Sequence, residues 1–262
     1  MKYRMNSLLG LGVVVAMTLA SPVHAEVKMG VAAEPYPPFT SKDASGQWIG
    51  WEIDFMKSLC AHVGEQCAVQ EVAWDGIIPG LQAKKFDAIL SSMSITPQRL
   101  KTINFSEMYY KSLAVVIGPK SDDKDIKPEH LKGKNLGVQV STIHAGYAQK
   151  HFAPAGVEVK TYETQDQANS DLAAGRLDYV LADGVALDAF LQSDAGSCCE
   201  QKAAVPNDPE FIGPGVGLGL RKDDAALQAK FNKGIADMTA DGSMSKITDA
   251  WKLTGKIELP KK

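Results

Sequence analysis

A short string that occurs twice constrains this chain more than any other feature. Leu81-Gln-Ala-Lys-Lys-Phe-Asp87-Ala-Ile-Leu90 returns as Leu172-Ala-Ala-Gly-Arg-Leu-Asp178-Tyr-Val-Leu181, with leucine, alanine, aspartate and leucine in step at 81/172, 83/174, 87/178 and 90/181. Each copy reads as the end of a helix, a short turn and a buried strand. Upstream of each lies a strand opening on Gly-Val, at Gly30-Val31 and Gly137-Val138. One match of this length can arise by chance, because helix-to-strand joints share a restricted vocabulary. Two matched elements in the same order argue for an internal duplication.

Strand and helix alternating in both halves predict an α/β protein with two lobes, each a mostly parallel sheet flanked by helices. Helical stripes support the covering layers, at Ile53, Met56, Leu59, Cys60 and Val63 and again at Leu227, Phe231, Ile235 and Met238. The chain of 262 residues suits two cores better than one. The expected order is discontinuous: residues 26–112 and 213–262 form lobe 1, and residues 113–212 form lobe 2. Two extended segments then cross between lobes, Leu113-Ala-Val-Val-Ile117 and Gly213-Pro-Gly-Val-Gly-Leu-Gly-Leu220. The second lacks the Lys-Ser/Thr that follows a phosphate-binding glycine loop, and its glycines suit a hinge.

Residues 1–25 read as an export signal. Lys2 and Arg4 supply the positive end, Leu8 to Leu19 the apolar stretch, and Val23-His24-Ala25 a small-residue cleavage site. Cleavage after Ala25 exposes Glu26-Val27-Lys28, with no cysteine for a lipid anchor. Those 25 residues hold two basic and no acidic side chains, so their removal takes the formal charge from −3 to −5. No basic face for nucleic acid is indicated. Export to an oxidising compartment predicts a Cys60–Cys67 disulfide. Vicinal cysteines rarely bridge each other without strain, so Cys198 and Cys199 are read as free or intermolecular thiols, or as without a role. No Cys/His spacing matches a zinc site, and neither a metal nor another cofactor is expected.

In open parallel sheets the ligand crevice lies at the carboxyl ends of the strands. Ser91, Ser92 and Ser94 follow the first copy of the repeat, and Asp183 follows the second. Hydroxyls and a carboxylate therefore converge from opposite lobes. Arg99 opens a helix after Thr96-Pro97, where its guanidinium can grip a carboxylate through two parallel hydrogen bonds; its bland reading is a surface arginine. Ser141-Thr142 caps a helix whose first amides, from Ile143 onward, can meet an anion, although ordinary capping explains it too. Together these groups read a zwitterion. Tyr36 and Trp74 sit in loops on the same crevice side and can wall an aliphatic stem or a cationic tip.

The strings Tyr36-Pro-Pro-Phe39, Gly50-Trp-Glu-Ile-Asp54, Asp75-Gly-Ile-Ile-Pro-Gly-Leu81, Lys84 through Thr96 with Arg99, Asp171 through Asp178 and Gly217-Leu-Gly-Leu-Arg221 resemble the polar-amino-acid branch of the periplasmic solute-binding proteins that serve ABC importers. They are similar in particular to the lysine/arginine/ornithine-, histidine- and arginine-binding members. The resemblance implies a two-lobed, periplasmic-binding-protein type II fold with two crossover hinge strands, closing on its ligand and doing no chemistry. It implies that Arg99 and the amides near Ser94 and Thr142 hold the carboxylate, that Asp183 and Ser92 take the α-amino group, and that Tyr36 and Trp74 sandwich the side chain. It also implies a free, cationic L-amino acid as ligand, ABC permease subunits of the inner membrane as partners, a periplasmic location and a monomer.

The chain departs from that pattern at several points. Ala33 stands where relatives carry an acidic residue, with Glu34 one place later. The second-lobe loop reads Ser141-Thr142-Ile143, and His144 follows it, either as a ligand contact or facing solvent. Trp74 replaces a frequent phenylalanine. Another polar amino acid or an opine-like conjugate is the alternative cargo. A dehydratase-type enzyme drawing on Glu34, His144 and Asp183, or a sensory binding domain, stands further off.

Overall fold

The computed structural model describes residues 26–123 and 125–261; the export signal expected over residues 1–25 lies outside them. In chain order the first lobe contributes β1 (Val27–Ala32), a small hairpin of β2 (Ser41–Lys42) and β3 (Trp48–Ile49), helix α1 (Trp51–Val63), β4 (Cys67–Val72), α2 (Ile77–Gln82), β5 (Ala88–Ile89), α3 (Pro97–Leu100) and β6 (Asn104–Phe105). The second contributes β7 (Ala114–Pro119), β8 (Asn135–Gln139), α4 (Ile143–His151), β9 (Glu158–Tyr162), α5 (Gln165–Ala173), β10 (Tyr179–Asp183), α6 (Gly184–Leu191) and β11 (Cys199–Ala204). The chain then returns for β12 (Gly219–Leu220), α7 (Ala225–Asp241) and α8 (Ser243–Ala250).

The two sheets are built alike. Their strand orders are β4-β1-β5-β12-β6 and β11-β7-β10-β8-β9. In the first, β1 runs parallel to β4 and β5, and β12 is antiparallel to β5 and β6. In the second, β8 runs parallel to β9 and β10, and β7 is antiparallel to β10 and β11. Each sheet is therefore parallel in sense except for one reversed strand. Those reversed strands, β7 and β12, are the ones the chain lays down on arriving in a lobe. The stretches expected to cross thus end inside sheets. Lys111 still pairs with Glu258 in the first lobe, while the Leu113 carbonyl already accepts Gly184 N–H in the second.

The repeated string has the same structural role in both lobes. Lys84 and Gly175 occupy matching places in the turn, both in the left-handed region, at φ 58° and 70°. Asp87 accepts the Lys28 backbone N–H at 3.0 Å, and Asp178 accepts that of Asn135 at 2.8 Å. Each aspartate so pins the start of the neighbouring strand. One residue earlier, Phe86 and Leu177 lie flat on a strand glycine. A Cβ at Gly30 would come within 2.5 Å of the Phe86 ring, and one at Gly137 within 2.3 Å of Leu177. The Gly-Val strands and the repeat are one packing solution used twice.

Helix α1 covers the first sheet through Trp51, Ile53, Phe55, Met56 and Leu59, and α7 packs on it through Phe231, Ile235 and Met238. The Cys60–Cys67 disulfide ties the end of α1 to the start of β4, with Cα atoms 6.2 Å apart. The reading of Cys198 and Cys199 as unbridged is corrected. They form a vicinal disulfide, Cα atoms 3.7 Å apart, where a 3-10 turn over Ala195–Cys198 passes into β11, and no free thiol is left among the described residues. The tight corner sets the two sulfurs side by side.

Candidate functional site

One cavity between the lobes collects the polar groups at the strand ends, around about 590 Å³ of unfilled space that is partly open to solvent. From the first lobe, Glu34 and Tyr36 follow β1, Trp74 follows β4, Ser91, Ser92 and Ser94 follow β5, and Arg99 comes from α3. From the second, Thr142, Ile143 and His144 lie at the start of α4, and Asp183 ends β10. All eleven residues singled out in the sequence line this cavity. The strand-end rule explains why: a parallel sheet delivers its loops to one edge, and the two lobes turn those edges toward each other.

Arg99 is positioned from both sides of the crevice. Thr96 caps α3 by accepting the Arg99 backbone N–H at 3.2 Å. The guanidinium donates to the Ser94 carbonyl at 2.9 Å and, across the gap, to the Ser141 carbonyl at 3.2 Å. Its Cζ stands 5.6 Å from the Trp74 ring centre, within cation–π range. Burial lowers its pKa to about 10, partly offset by Asp183, so it stays charged at neutral pH. Arg221, by contrast, binds the Phe86 carbonyl and Asp87, and Arg176 pairs with Asp171, so neither serves the cavity.

Asp183 faces it from the other lobe. Its two oxygens accept from Tyr36 Oη at 2.8 Å and Ser112 Oγ at 3.0 Å. The Tyr36 bond joins the lobes, and burial together with Asp183 raises the phenol well above its ordinary pKa. A third link crosses where Trp74 Nε1 donates to the Val140 carbonyl at 3.1 Å. Thr142 Oγ1 accepts Ala145 N–H at 3.1 Å. The amides of Ile143 and His144 then remain as helix-start donors. Ser91 Oγ accepts Ala32 N–H at 3.0 Å.

Ser92 sits in the left-handed region, at φ 50°, and Glu52 holds it there. The Glu52 carboxylate accepts Ser92 N–H at 2.8 Å, Ser92 Oγ–H at 3.1 Å and the Tyr109 hydroxyl. It is fully buried, and burial pushes its pKa up to about 7 against the pull of these hydrogen bonds. Sequence reasoning did not assign it this role. The signal was a lone carboxylate on the apolar face of α1, three, four and seven residues before Phe55, Met56 and Leu59.

Ala32, Pro35, Gln139 and Gln165 also line the cavity and were not foreseen. Gln139 and Gln165 are reachable by the same strand-end rule, at the close of β8 and just after β9. Their amide nitrogens are committed, to Glu163 O at 3.0 Å and Asn169 Oδ1 at 2.9 Å. Each amide keeps an acceptor oxygen and a second N–H beyond that bond. Glu34 adds a carboxylate whose oxygens lie 3.3 and 3.4 Å from Trp74 N. Among the described residues no cluster of His, Cys, Asp and Glu could hold a metal ion, and no helix is long and apolar enough to cross a membrane.

Comparison with known proteins agrees with this geometry. Residues 27–254 match the family of bacterial extracellular solute-binding proteins, family 3. The L-arginine-binding protein of Pseudomonas aeruginosa is 39% identical over 251 residues, covering 94% of this chain and 96% of that relative. The lysine/arginine/ornithine-binding periplasmic protein of Escherichia coli is 38% identical, covering 92% and 95%. A solved structure of an ancestral arginine-binding protein bound to arginine superposes with a TM-score of 0.79 at 30% identity, covering 86% of this chain and 97% of that one. Those relatives are named as binding proteins, not as enzymes. A family match over nearly all the described residues, on a two-lobed fold with its polar groups gathered in the interlobe cavity, makes this chain a member of the bacterial extracellular solute-binding proteins, family 3.

Proposed function

We propose that the protein captures a free L-amino acid with a cationic side chain, lysine, arginine, ornithine or histidine, between its lobes and delivers it to an ABC importer without transforming it. The observation that carries this reading is the pairing of opposite charges across the crevice. Arg99 from one lobe and Asp183 from the other both line the cavity, beside the helix-start amides of Ile143 and His144. A guanidinium and two amides suit an α-carboxylate; a carboxylate suits an α-ammonium. In this reading Ser92 and Ser94 complete the backbone-recognising half. Tyr36 and Trp74 flank the side chain. The Glu34 carboxylate, beside the amides of Gln139 and Gln165, favours a side chain that donates N–H groups over an acidic one. The names of the two bacterial relatives and of the arginine-bound structure point the same way.

The reading includes export to the periplasm with cleavage after Ala25, action as a monomer, and docking of the closed form on permease subunits in the inner membrane. It also divides the chain into lobe 1 at 26–112 with 213–262 and lobe 2 at 113–212. Calorimetric titration with the twenty amino acids and ornithine tests it. The expected result is that at least one cationic amino acid binds more tightly than about 100 μM, roughly −5.5 kcal/mol. No binding at that level by any α-amino acid refutes the proposal.

A further inference from the structure

His144 is the second residue of α4 and is 5% exposed. It lines the interlobe cavity, yet its Nε2 is buried without a hydrogen-bond partner. The nearest acid is Asp183, whose Oδ1 lies 3.7 Å away. That is too long for a direct hydrogen bond. A buried ring nitrogen left unpaired is costly, and the sequence offers no structural reason for a histidine at a helix start. Its unpaired atom instead stands beside the carboxylate that, in the reading above, takes the ligand's α-ammonium. An ammonium has three N–H groups and can donate to both residues at once.

We infer that His144, as a neutral ring protonated on Nδ1, accepts a hydrogen bond from the ligand's α-ammonium alongside Asp183, so that capture requires the histidine to be deprotonated. The inference rests on the amino-acid reading of the site and adds a proton switch to it. Two charged groups face the ring. Asp183, at the end of β10, favours its protonation, and Arg99, on α3, opposes it. Tyr36 reaches the same Asp183 carboxylate. Burial, with Arg99, outweighs Asp183 and holds the ring below the usual histidine pKa of 6.5.

The sign follows from linkage. The neutral ring is the binding form, and a bound ammonium beside it disfavours protonation further. Capture near the pKa of the free ring therefore expels a proton, and affinity falls as the pH drops through it. Glu52, pushed up to about 7, titrates in an adjoining range and reaches the cavity through Ser92, so a pH profile of the unaltered protein alone does not isolate the histidine.

Isothermal titration with L-arginine, at pH values from 7.5 to 5.0 and in buffers of different ionisation enthalpy, compares the protein with His144→Gln. Glutamine offers an acceptor but has no proton to gain. The unaltered protein is expected to release a proton on binding and to lose affinity by up to about tenfold per pH unit below the ring's pKa. His144→Gln is expected to bind more weakly at pH 7.5 but with that release and slope removed. His144→Leu, which keeps bulk without an acceptor, is expected to lose about tenfold at pH 7.5 with its melting temperature retained. Equal proton release and parallel slopes in the unaltered protein and His144→Gln overturn the inference and leave the amino-acid reading standing. Failure of arginine, lysine, ornithine and histidine to bind the unaltered protein at pH 7.5 overturns that reading, and this inference with it.

Discussion

Arg99 and Glu52 show how differently two buried charges can serve one cavity. Arg99 keeps its charge and gives two of its five N–H donors to the Ser94 and Ser141 carbonyls, which fixes the plane of the fork that a carboxylate meets. Arg99→Lys replaces a planar fork by a point charge. It should weaken amino-acid binding by about 2 kcal/mol, some thirtyfold in Kd, by calorimetry. Glu52 does not line the cavity and holds the left-handed Ser92. Its pKa is raised from 4.5 to about 7, above all by burial, so the folded form binds a proton more tightly than the unfolded one. The stability this confers is complete below about 4.5 and is lost as the pH climbs through 7, by about 3 kcal/mol in all. Thermal melting of the ligand-free protein between pH 5 and 8 should show this decline, and Glu52→Gln should flatten it. His62 beside Asp241 adds a slope of the same sign, so the difference between the two proteins is the readout.

Short elements carry much of the architecture. The Cys60–Cys67 disulfide closes a loop of seven residues' separation between α1 and β4, and its loss in Cys60→Ser/Cys67→Ser should cost about 2.5 kcal/mol by denaturant unfolding. Gly30→Ala drives a methyl group into the buried Phe86 ring and should cost about 1–3 kcal/mol. The same elements explain what the sequence let one read. Repeated strings expose a repeated packing unit because Asp87 and Asp178 bind their own neighbouring strands, and Phe86 and Leu177 need a glycine beneath them. Strand ends then point to the cavity, which is how Asp183 was reached, whereas Arg99 was reached from its place at the start of the helix after Thr96-Pro97. Glu52 escaped because its partners, Ser92 and Tyr109, lie 40 and 57 residues away. The burial of His144 escaped for a related reason: a helix start looks the same in sequence whether or not a second lobe covers it. For Cys198 and Cys199, adjacency argued against a bridge, whereas the turn into β11 brings the sulfurs together.

At the scale of the molecule the lobes meet through Tyr36 to Asp183, Arg99 to Ser141, Trp74 to Val140 and Lys256 to Asp188. Trp74 therefore changes surroundings when the crevice opens. Adding the amino acid should alter tryptophan fluorescence, and Trp74→Phe should abolish most of the change while leaving the signals of Trp48, Trp51 and Trp251. The order of the strands has a consequence for how such a molecule is made. Strand β12 fills the slot between β5 and β6, but its residues come after the whole second sheet. In a chain delivered amino end first, the second lobe arrives as one unbroken length. The first sheet lacks the strand between β5 and β6 until the tail arrives.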